Sequence, residues 1–295
     1  MSVARRVTLV AVGALVIVLG LGLVAIVRSD GVPSPDPTPT TQPVEQTLLL
    51  QVMDDQGYAV ANVVLGIEPP ADDPFTVMLA VPASLLVSEG DDSITLGLTP
   101  QSTDTLAGIA GIEGTLGLRI DAGLTLDRLA FAGLVDAVDG VWVELDRPIL
   151  LPAIGDEVQR RVLGPGWVKM DGIAAADYAV LRLPGEGESQ RIDRFLGLFV
   201  DVVDRMPRTE EQMRQLLTSL GSLAQSTVPT EELVPFLIDV RSDVGFGRLR
   251  VEVLPVEIIR GGARPASVPA PDAEALVQSL FPDARITPDS GGMTG

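Results

Sequence analysis

Residues Gly166–Arg205 read GWVKMDGIAAADYAVLRLPGEGESQRIDRFLGLFVDVVDR. This stretch predicts a helix over Ile173–Leu181 that ends before Pro184, because proline lacks the backbone donor that a helix interior needs. A loop with Gly185 and Gly187 follows. A second helix then places apolar residues at core-facing spacing, namely Ile192, Phe195, Leu196, Phe199 and Val203. We expect the rest of the chain to pack around this pair of helices.

Arginines surround the break between the two predicted helices. Arg182 follows the first helix, and Arg191 and Arg194 lie three residues apart near the start of the second, close enough to converge on one ligand. Guanidinium groups beside the exposed N–H groups of a helix start suit a phosphate or pyrophosphate. The alternative is a solvated helical hairpin whose arginines pair with nearby acids, Glu186, Glu188 and Asp193. The local pattern by itself favours the alternative.

Composition restricts the possible chemistry. The net charge is −19 with a pI near 4.3, so the chain lacks the basic surface that nucleic-acid binding requires. It contains no cysteine and no histidine, which excludes disulfides, thiolate catalysis and His-based triads. Any catalysis must use carboxylates, arginines and, if a metal takes part, a hard oxygen-bound cation.

The N-terminal region predicts a membrane anchor. Residues 1–6 contain Arg5 and Arg6, and Val7–Val27 is an uninterrupted apolar and glycine run of bilayer-spanning length. The arginines before the run place the N-terminus in the cytoplasm and the bulk of the chain on the extracytoplasmic side of the cell membrane. A cleaved signal peptide is the competing interpretation, but no small-x-small cleavage site precedes the charges that follow the run. Residues 28–46 are rich in Pro and Thr and predict a linker.

From Thr47 to residue 281 the pattern predicts one α/β domain, followed by a flexible tail over 282–295. Predicted strands are Thr47–Val52, Val60–Ile67, Thr76–Val81, Val141–Leu145 and Arg248–Leu254. Further predicted helices are Asp104–Leu118, Leu129–Val138, Thr209–Ala224, Thr230–Asp239 and Asp272–Leu280. Trp142 and Trp167 are expected in the core or in a pocket wall rather than as sugar platforms.

Two blocks resemble the LytR–CpsA–Psr (LCP) family, and the likeness extends from about Thr47 to about Leu254. Leu129–Leu145, LAFAGLVDAVDGVWVEL, is similar to the family's "f-x-g-f-x-x-lVDalGGV-x-v", with Asp139 where glycine is usual. The second block is similar to "ldG-x-x-A-x-x-Y-x-R-x-R" followed by "D-x-x-R-x-x-R-Q". Its counterparts here are Met170, Asp171, Gly172, Ala175, Tyr178, Val180, Arg182, Glu188, Arg191, Arg194 and Phe195.

The resemblance implies an α-β-α layered sandwich with a mixed central sheet, preceded by one transmembrane helix. It also implies a long apolar pocket for a polyprenyl-phosphate lipid, from which a glycopolymer is transferred to peptidoglycan, with Mg²⁺ held by carboxylates. Carried over to this chain, it assigns pyrophosphate binding to Arg182, Arg191 and Arg194 and catalysis to Glu188 and Arg191. The implied partners are the membrane, the lipid and peptidoglycan or glycopolymer.

Several positions depart from the family pattern. Asn62 stands where an aspartate helps to bind metal, and Ala83 and Ser84 stand where "iP-R-D-t" has its arginine and aspartate. Val180 replaces the first arginine of "Y-x-R-x-R", and Phe195 replaces a glutamine. Whether the chain is an enzyme therefore stays open at this level.

Three interpretations of these departures compete. The first is a divergent enzyme in which Glu188 and the arginines work with a neighbouring acid such as Asp72, Asp73 or Asp91. The second is a catalytically inactive lipid-binding or scaffolding relative in cell-wall assembly. The third is a shifted alignment of the strands.

Overall fold

The computed structural model describes residues 46–67, 75–89, 92–102, 106–151, 161–260 and 265–286, all within the unit Pro43–Gly295. No helix in these ranges has the length and apolar character needed to cross a membrane. The predicted anchor Val7–Val27, nearly all of the predicted linker, and Asp72, Asp73 and Asp91 lie outside the described residues.

Strands and helices alternate along the chain, as the pattern predicts. The strands are β1 Gln46–Met53, β2 Ala59–Ile67, β3 Thr76–Ala80, β4 Leu86–Glu89, β5 Asp92–Thr95, β6 Ala122–Leu126, β7 Val141–Leu145, β8 Ile149–Leu151, β9 Arg161–Leu163, β10 Gly166–Met170, β11 Ala224–Ser226, β12 Leu249–Val253, β13 Val256–Ile259 and β14 Ala266–Pro269. The helices are α1 Ala107–Leu116, α2 Arg128–Ala137, α3 Gly172–Val180, α4 Glu188–Arg205, α5 Glu210–Ser219, α6 Thr230–Gly245 and α7 Ala273–Leu280.

Six of the strands form a mixed sheet in the order β11-β6-β1-β2-β3-β12. β1 pairs in parallel with β6, and β3 pairs in parallel with β12. The pairings β1–β2, β2–β3 and β6–β11 are antiparallel. The expected mixed central sheet is therefore confirmed.

Both faces of this sheet are buried. Along β1, Leu48 and Leu50 belong to one apolar cluster and Leu49 to another, because alternate side chains of a strand point to opposite faces. Helices α2 to α6 cover the first face. Helices α1 and α7 cover the second. These two helical layers around the sheet give the α-β-α arrangement that the family resemblance implies.

Three predicted boundaries differ from the structure. The helix expected over Thr209–Ala224 ends at Ser219; Gly221 takes a positive φ of 57°, and the chain then pairs as β11 beside β6. The helix expected to end at Asp239 continues to Gly245, because Val240 and Asp243 are buried against the sheet layer. The tail expected from residue 282 is packed at its start, since Ala284 is fully buried and its carbonyl accepts a hydrogen bond from the Arg119 N–H at 2.7 Å.

The two sequence blocks that carry the family resemblance touch each other. The Asp136 carboxylate, in α2, accepts a hydrogen bond from the Gly172 N–H, at the start of α3, at 2.6 Å. A side chain at Gly172 would place its Cβ 2.1 Å from the Ala132 carbonyl oxygen, so only glycine allows this approach. This contact fixes α3, and hence the loop that α3 leads into, against α2.

Helix α4 packs its apolar stripe onto the same layer. All five predicted core residues of this helix are buried. Phe195 lies 5.7 Å from Phe131 and 5.5 Å from Phe199 between ring centroids. Phe195, which stands where the family pattern has a glutamine, is thus a core residue.

Candidate functional site

A cavity of about 770 Å³ lies beside the loop that joins α3 to α4. Arg182, Glu188 and Arg191 line it, together with Tyr58 from the turn between β1 and β2 and Ser84 from the turn after β3. The structure therefore brings two of the three predicted arginines, and the predicted carboxylate, to one cavity.

Arg191 is the most deeply buried cation of this wall, with 5% of its surface exposed. Its Nη2 donates to Glu188 Oε1 at 3.4 Å, while its buried Nε–H has no hydrogen-bond partner among the described residues. Burial lowers the pKa of Arg191, and the nearby Glu188 opposes that shift. An unpaired donor on a buried charge is unfavourable, so an anion entering the cavity would be stabilised there.

Arg182 reaches the same cavity from the surface. It is exposed, and its guanidinium has no ion-pair partner within the described part of the chain. The like charge of Arg182, and that of Arg194, lower the pKa of Arg191 further. Two cations held near each other without a full set of acidic partners are typical of an anion site.

Arg194 is used mainly in the fold, although its buried Nη1 has no hydrogen-bond partner among the described residues. Its Nε and Nη2 bind both oxygens of Glu186 at 2.9 Å, and Nη2 also donates to the Leu181 carbonyl at 2.5 Å. The guanidinium lies 4.7 Å from the centroid of the Tyr178 ring. Arg194 is not among the residues that line the cavity. Ion pairing, the alternative inferred from the sequence, therefore describes Arg194, although the pair is buried rather than solvated.

The Glu186 carboxylate is the acidic partner of Arg194. Burial acts to raise its pKa, but the hydrogen bonds from Arg194 and from the Leu183 N–H outweigh burial, and the pKa is lowered from its ordinary value. Glu186 and Arg194 side chains are each 7% exposed. Their pairing holds the end of α3 against the start of α4 and so shapes the loop beside the cavity.

Glu188 is held by a chain of hydroxyl groups. Ser84 donates to it twice, through the backbone N–H to Oε1 at 3.1 Å and through Oγ to Oε2 at 2.5 Å. Ser84 Oγ also lies 2.9 Å from Ser267 Oγ. Because a serine hydroxyl has a single proton and Ser84 gives it to Glu188, Ser267 must be the donor to Ser84.

The family resemblance implies Mg²⁺ held by carboxylates, and the described donors do not fit such a cage. Both oxygens of Glu188 already accept hydrogen bonds from Ser84. The other two acids at this wall are Glu186, which pairs with Arg194, and Asp54. The Asp54 carboxylate accepts hydrogen bonds from the N–H groups of Gln56 and Tyr58 at 2.9 and 3.0 Å. No group of three acidic side chains that could share a cation exists within the described ranges. Mg²⁺ thus stays a prediction that acids outside those ranges would have to satisfy.

Asn62 and Ala83 show what has replaced the expected charges. Asn62 is buried in the sheet, where its Oδ1 accepts a hydrogen bond from Gln51 Nε2 at 2.8 Å. The Ala83 carbonyl accepts one from the Tyr58 hydroxyl at 3.1 Å. Burial raises the pKa of Tyr58, which therefore stays a neutral donor at neutral pH. Neither Asn62 nor Ala83 is among the residues that line the cavity, whereas Tyr58 lines it as a neutral phenol.

Sequence reasoning missed Tyr58 and Ser267. Tyr58 is one of only two tyrosines in the chain and follows a predicted turn, which could have marked it. Ser267 has no such signal, because it stands in the short strand β14 between two prolines, far from Ser84 along the chain. Only the packing of β14 beside the turn after β3 brings the two serines together.

The prediction for the two tryptophans was wrong. Trp142 lies in β7 with 48% of its surface exposed, and Trp167 lies in β10 with 66% exposed. Neither lines the cavity described above. The reason is that β7 and β10 form a separate two-stranded ribbon whose other face, with Val141 and Met170, supplies the core contacts.

Comparison with protein families finds a match to the model of the LytR_cpsA_psr family over residues 107–258. This span contains both sequence blocks quoted above and the loop beside the cavity. Comparison with curated proteins finds no match.

Solved structures share the fold. TagV of B. subtilis matches with a TM-score of 0.66 at 16% identity, covering 83% of this chain and 99% of TagV. A LytR-Csp2A-Psr enzyme from Actinomyces oris matches with a TM-score of 0.60 at 16% identity, covering 80% of this chain and 89% of that one. TagT bound to LI-WTA matches with a TM-score of 0.61 at 16% identity, over 82% of this chain and 91% of TagT.

Proposed function

The chain belongs to the LytR_cpsA_psr family, and from that premise we propose that it is a cell-envelope protein whose cavity binds the phosphate or pyrophosphate group of a polyprenyl-linked glycopolymer. TagT, which shares the fold, has been solved bound to LI-WTA, a wall teichoic acid. The proposed location is the extracytoplasmic face of the cell membrane, with Val7–Val27 as the anchor.

The observation that carries this proposal is the state of Arg191. A buried guanidinium with an unpaired Nε–H, next to the exposed Arg182, is arranged to receive an anionic oxygen that the protein itself does not supply. Val180 and Ile258, also at the cavity wall, offer apolar surface to a lipid tail. The combination suits an anionic head group that carries a hydrocarbon chain.

The proposed reaction is transfer of the glycopolymer to a hydroxyl of peptidoglycan. The acceptor oxygen attacks the phosphorus that bears the glycopolymer, a new P–O bond forms, and the bridging P–O bond breaks. Polyprenyl phosphate leaves with that bond's electron pair, while Arg182 and Arg191 stabilise the negative charge on the phosphoryl oxygens. Glu188, whose side chain is 28% exposed at the cavity, takes the proton of the acceptor hydroxyl.

A second function, binding without turnover, is favoured by a specific observation. Glu188 Oε2 is already engaged by the Ser84 hydroxyl at 2.5 Å, and Oε1 accepts hydrogen bonds from Ser84 and Arg191. A carboxylate satisfied in this way is less available as a proton acceptor or metal ligand. In this form the protein holds a lipid-linked glycopolymer for other enzymes of cell-wall assembly.

One experiment tests both functions. The full-length chain is incubated with a polyprenyl pyrophosphate, and lipid binding and phosphate release, in which water replaces the acceptor hydroxyl, are measured in the same samples, with Mg²⁺ and with EDTA. We expect Arg182→Ala to weaken binding by about tenfold, because it removes an exposed cation from a phosphate contact without disturbing the core. Arg191→Ala should abolish binding, and circular dichroism checks that it still folds.

Arg208→Ala is the matched control, since Arg208 is exposed and is not among the residues that line the cavity. Phosphate release that depends on Arg182 supports the transferase. Lipid binding that depends on Arg182 without phosphate release supports binding without turnover. Binding that is equal in wild type and Arg182→Ala, or absent from both, would overturn the proposed anion site.

A further inference from the structure

An exposed apolar face lies on the two-stranded ribbon that contains both tryptophans. β7 pairs with β10, and β8 pairs with β9; these two ribbons follow each other along the chain, and their residues 141–151 and 161–170 are called here the tryptophan arm. One face of this arm packs on the core, through Val141, Leu145, Ile149, Leu151 and Met170. The opposite face points to solvent.

Four large apolar side chains of the arm are exposed, two on the β7–β10 ribbon and two on the β8–β9 ribbon. Trp142 and Trp167 occupy diagonal positions, since Trp142 pairs with Lys169 and Trp167 pairs with Glu144. Leu150 and Val162 lie directly opposite each other, with 48% and 60% of their surfaces exposed. Large apolar groups gathered on one exposed face indicate a surface that is covered in the working protein.

The types of side chain on this surface indicate which kind of partner covers it. Tryptophan is favoured where an apolar environment meets water, because its ring is apolar and its N–H can hydrogen-bond. Trp142 and Trp167 alternate with the charged groups of Lys169 and Glu144 on the same face, so apolar bodies and polar tips are mixed there. This mixture suits the interface of a lipid bilayer, where tryptophan is enriched, better than a fully apolar protein contact.

The charge of the arm does not oppose such a contact. The chain as a whole has 40 acidic and 21 basic residues, so an anionic membrane surface repels most of it. The tryptophan arm has no acidic excess of its own, since its charged residues within the described ranges are Arg147, Arg161, Lys169, Glu144 and Asp146. Arg161 and Lys169 pair with Asp177 and Asp139 just outside the arm, so the arm is close to neutral.

The membrane anchor predicted over Val7–Val27 would tether the domain to the bilayer. The apolar run ends at Val27, and β1 begins at Gln46. An extended Pro-rich segment of that length spans about 60 Å at most, at about 3.1 Å per residue. A domain tethered so closely meets the bilayer at high effective concentration, so a weak apolar contact is enough to orient it.

We propose that the outer face of the tryptophan arm, formed by Trp142, Trp167, Leu150 and Val162, docks on the surface of the lipid bilayer. This proposal rests on the proposed function, because a lipid-linked substrate has to be bound at a membrane. Docking through the arm holds the domain in one orientation over the bilayer that supplies this lipid.

Intrinsic fluorescence tests the proposal directly, because Trp142 and Trp167 are the only tryptophans in the chain. The full-length protein is reconstituted into vesicles of phosphatidylglycerol and phosphatidylcholine, with ordinary or brominated acyl chains on the phosphatidylcholine. We expect brominated lipid to quench the emission and ordinary lipid to shift it to shorter wavelength. Leu150→Ser with Val162→Ser keeps both fluorophores and should lower the equilibrium constant for arm contact by more than about tenfold.

Phe246→Ser is the matched control, because Phe246 is 72% exposed and lies outside the arm; it should leave quenching unchanged. Equal emission in brominated and ordinary vesicles would overturn the proposal. So would a soluble peptidoglycan oligosaccharide that shifts the emission when brominated lipid does not, since the arm would then bind glycan. Arg191→Ala should abolish polyprenyl pyrophosphate binding and leave quenching intact, which separates failure of the proposed function from failure of bilayer docking.

Discussion

The Ser84 hydroxyl donates a hydrogen bond to Glu188 Oε2 across 2.5 Å and so joins the turn after β3 to the first turn of α4. Ser84 stands where the family pattern has an aspartate. Two carboxylates at this separation would repel each other unless a cation lay between them, whereas a hydroxyl and a carboxylate attract directly. The substitution therefore lets the two elements close on each other without a metal.

Restoring the carboxylate should restore the need for a cation. Ser84→Asp places two negative charges together and should lower the free energy of unfolding at pH 7 by about 2–3 kcal/mol. Saturating Mg²⁺ should then raise the Tm of this variant by about 5 °C or more, because a ligand that binds only the folded state stabilises it. Thermal unfolding followed by circular dichroism measures both effects.

Ser84→Asn, neutral and of the same size, is the control and should gain nothing from Mg²⁺. An equal Mg²⁺-induced rise in the Tm of the wild-type protein would mean that acids outside the described residues already hold a cation at this site.

The Glu186–Arg194 pair should make stability depend on pH. The pKa of Glu186 is lowered in the folded protein from its ordinary value of 4.5. Its contribution is therefore fully present above pH 4.5 and is lost as the pH falls through the folded pKa. Glu186→Gln should cost about 2–3 kcal/mol at pH 7, since Arg194 keeps an acceptor but loses its buried counter-charge.

Urea unfolding of wild type and Glu186→Gln at several pH values checks this, and the difference between the two proteins should shrink in acid. Glu211→Gln serves as the control, because Glu211 pairs with Arg214 at the surface and is 67% exposed. A difference that stays constant from pH 7 into acid would show that the Glu186 charge contributes nothing.

Gly97 should be required for the position of Tyr58. A Cβ at Gly97 would lie 2.2 Å from the Tyr58 ring, so Gly97→Ala must push the ring and its hydroxyl away from the cavity wall. We expect a loss of about 1–3 kcal/mol in the free energy of unfolding. In a protein that already carries Tyr58→Ala, Gly97→Ala should cost much less, because the ring it would meet is gone. A double-mutant cycle measures this difference.

Gly114→Ala is the matched control in this experiment. Gly114 lies in α1 with open space where a Cβ would be, so alanine should stabilise by about 0.5–1 kcal/mol. Full additivity of Gly97→Ala and Tyr58→Ala would contradict the proposed contact.

Asp139→Gly should stabilise the protein. Asp139 has a positive φ of 63°, a region that favours glycine, and this explains why the family usually has glycine at this position. The change also removes the exposed bond between Asp139 and Lys169, 2.8 Å long, which contributes little. We expect the Tm to rise by about 1–3 °C, and a Tm below that of the wild type would show that the Lys169 contact outweighs the backbone strain.

The local spacing of apolar residues predicted most of the helices and strands of the main sheet and its layers. The apolar spacing in α4 predicted which of its faces is buried, and the runs around β1, β2 and β3 predicted strands within a residue or two of their ends. These features depend on neighbours within a few residues, because burial and backbone hydrogen bonding impose periods of 3.6 and 2 on the sequence. The resemblance to the LCP family added the mixed sheet and its layers.

Contacts between distant segments were decided only by tertiary structure. The sequence places Arg191 and Arg194 three residues apart, yet Arg191 lines the cavity while Arg194 forms an ion pair with Glu186. Ser267 reaches Ser84 across 183 positions, and the tryptophans face solvent because a separate ribbon carries them. The physical reason is that local periodicity fixes which side of an element is apolar, whereas the partner of each polar group depends on the three-dimensional packing of all the elements.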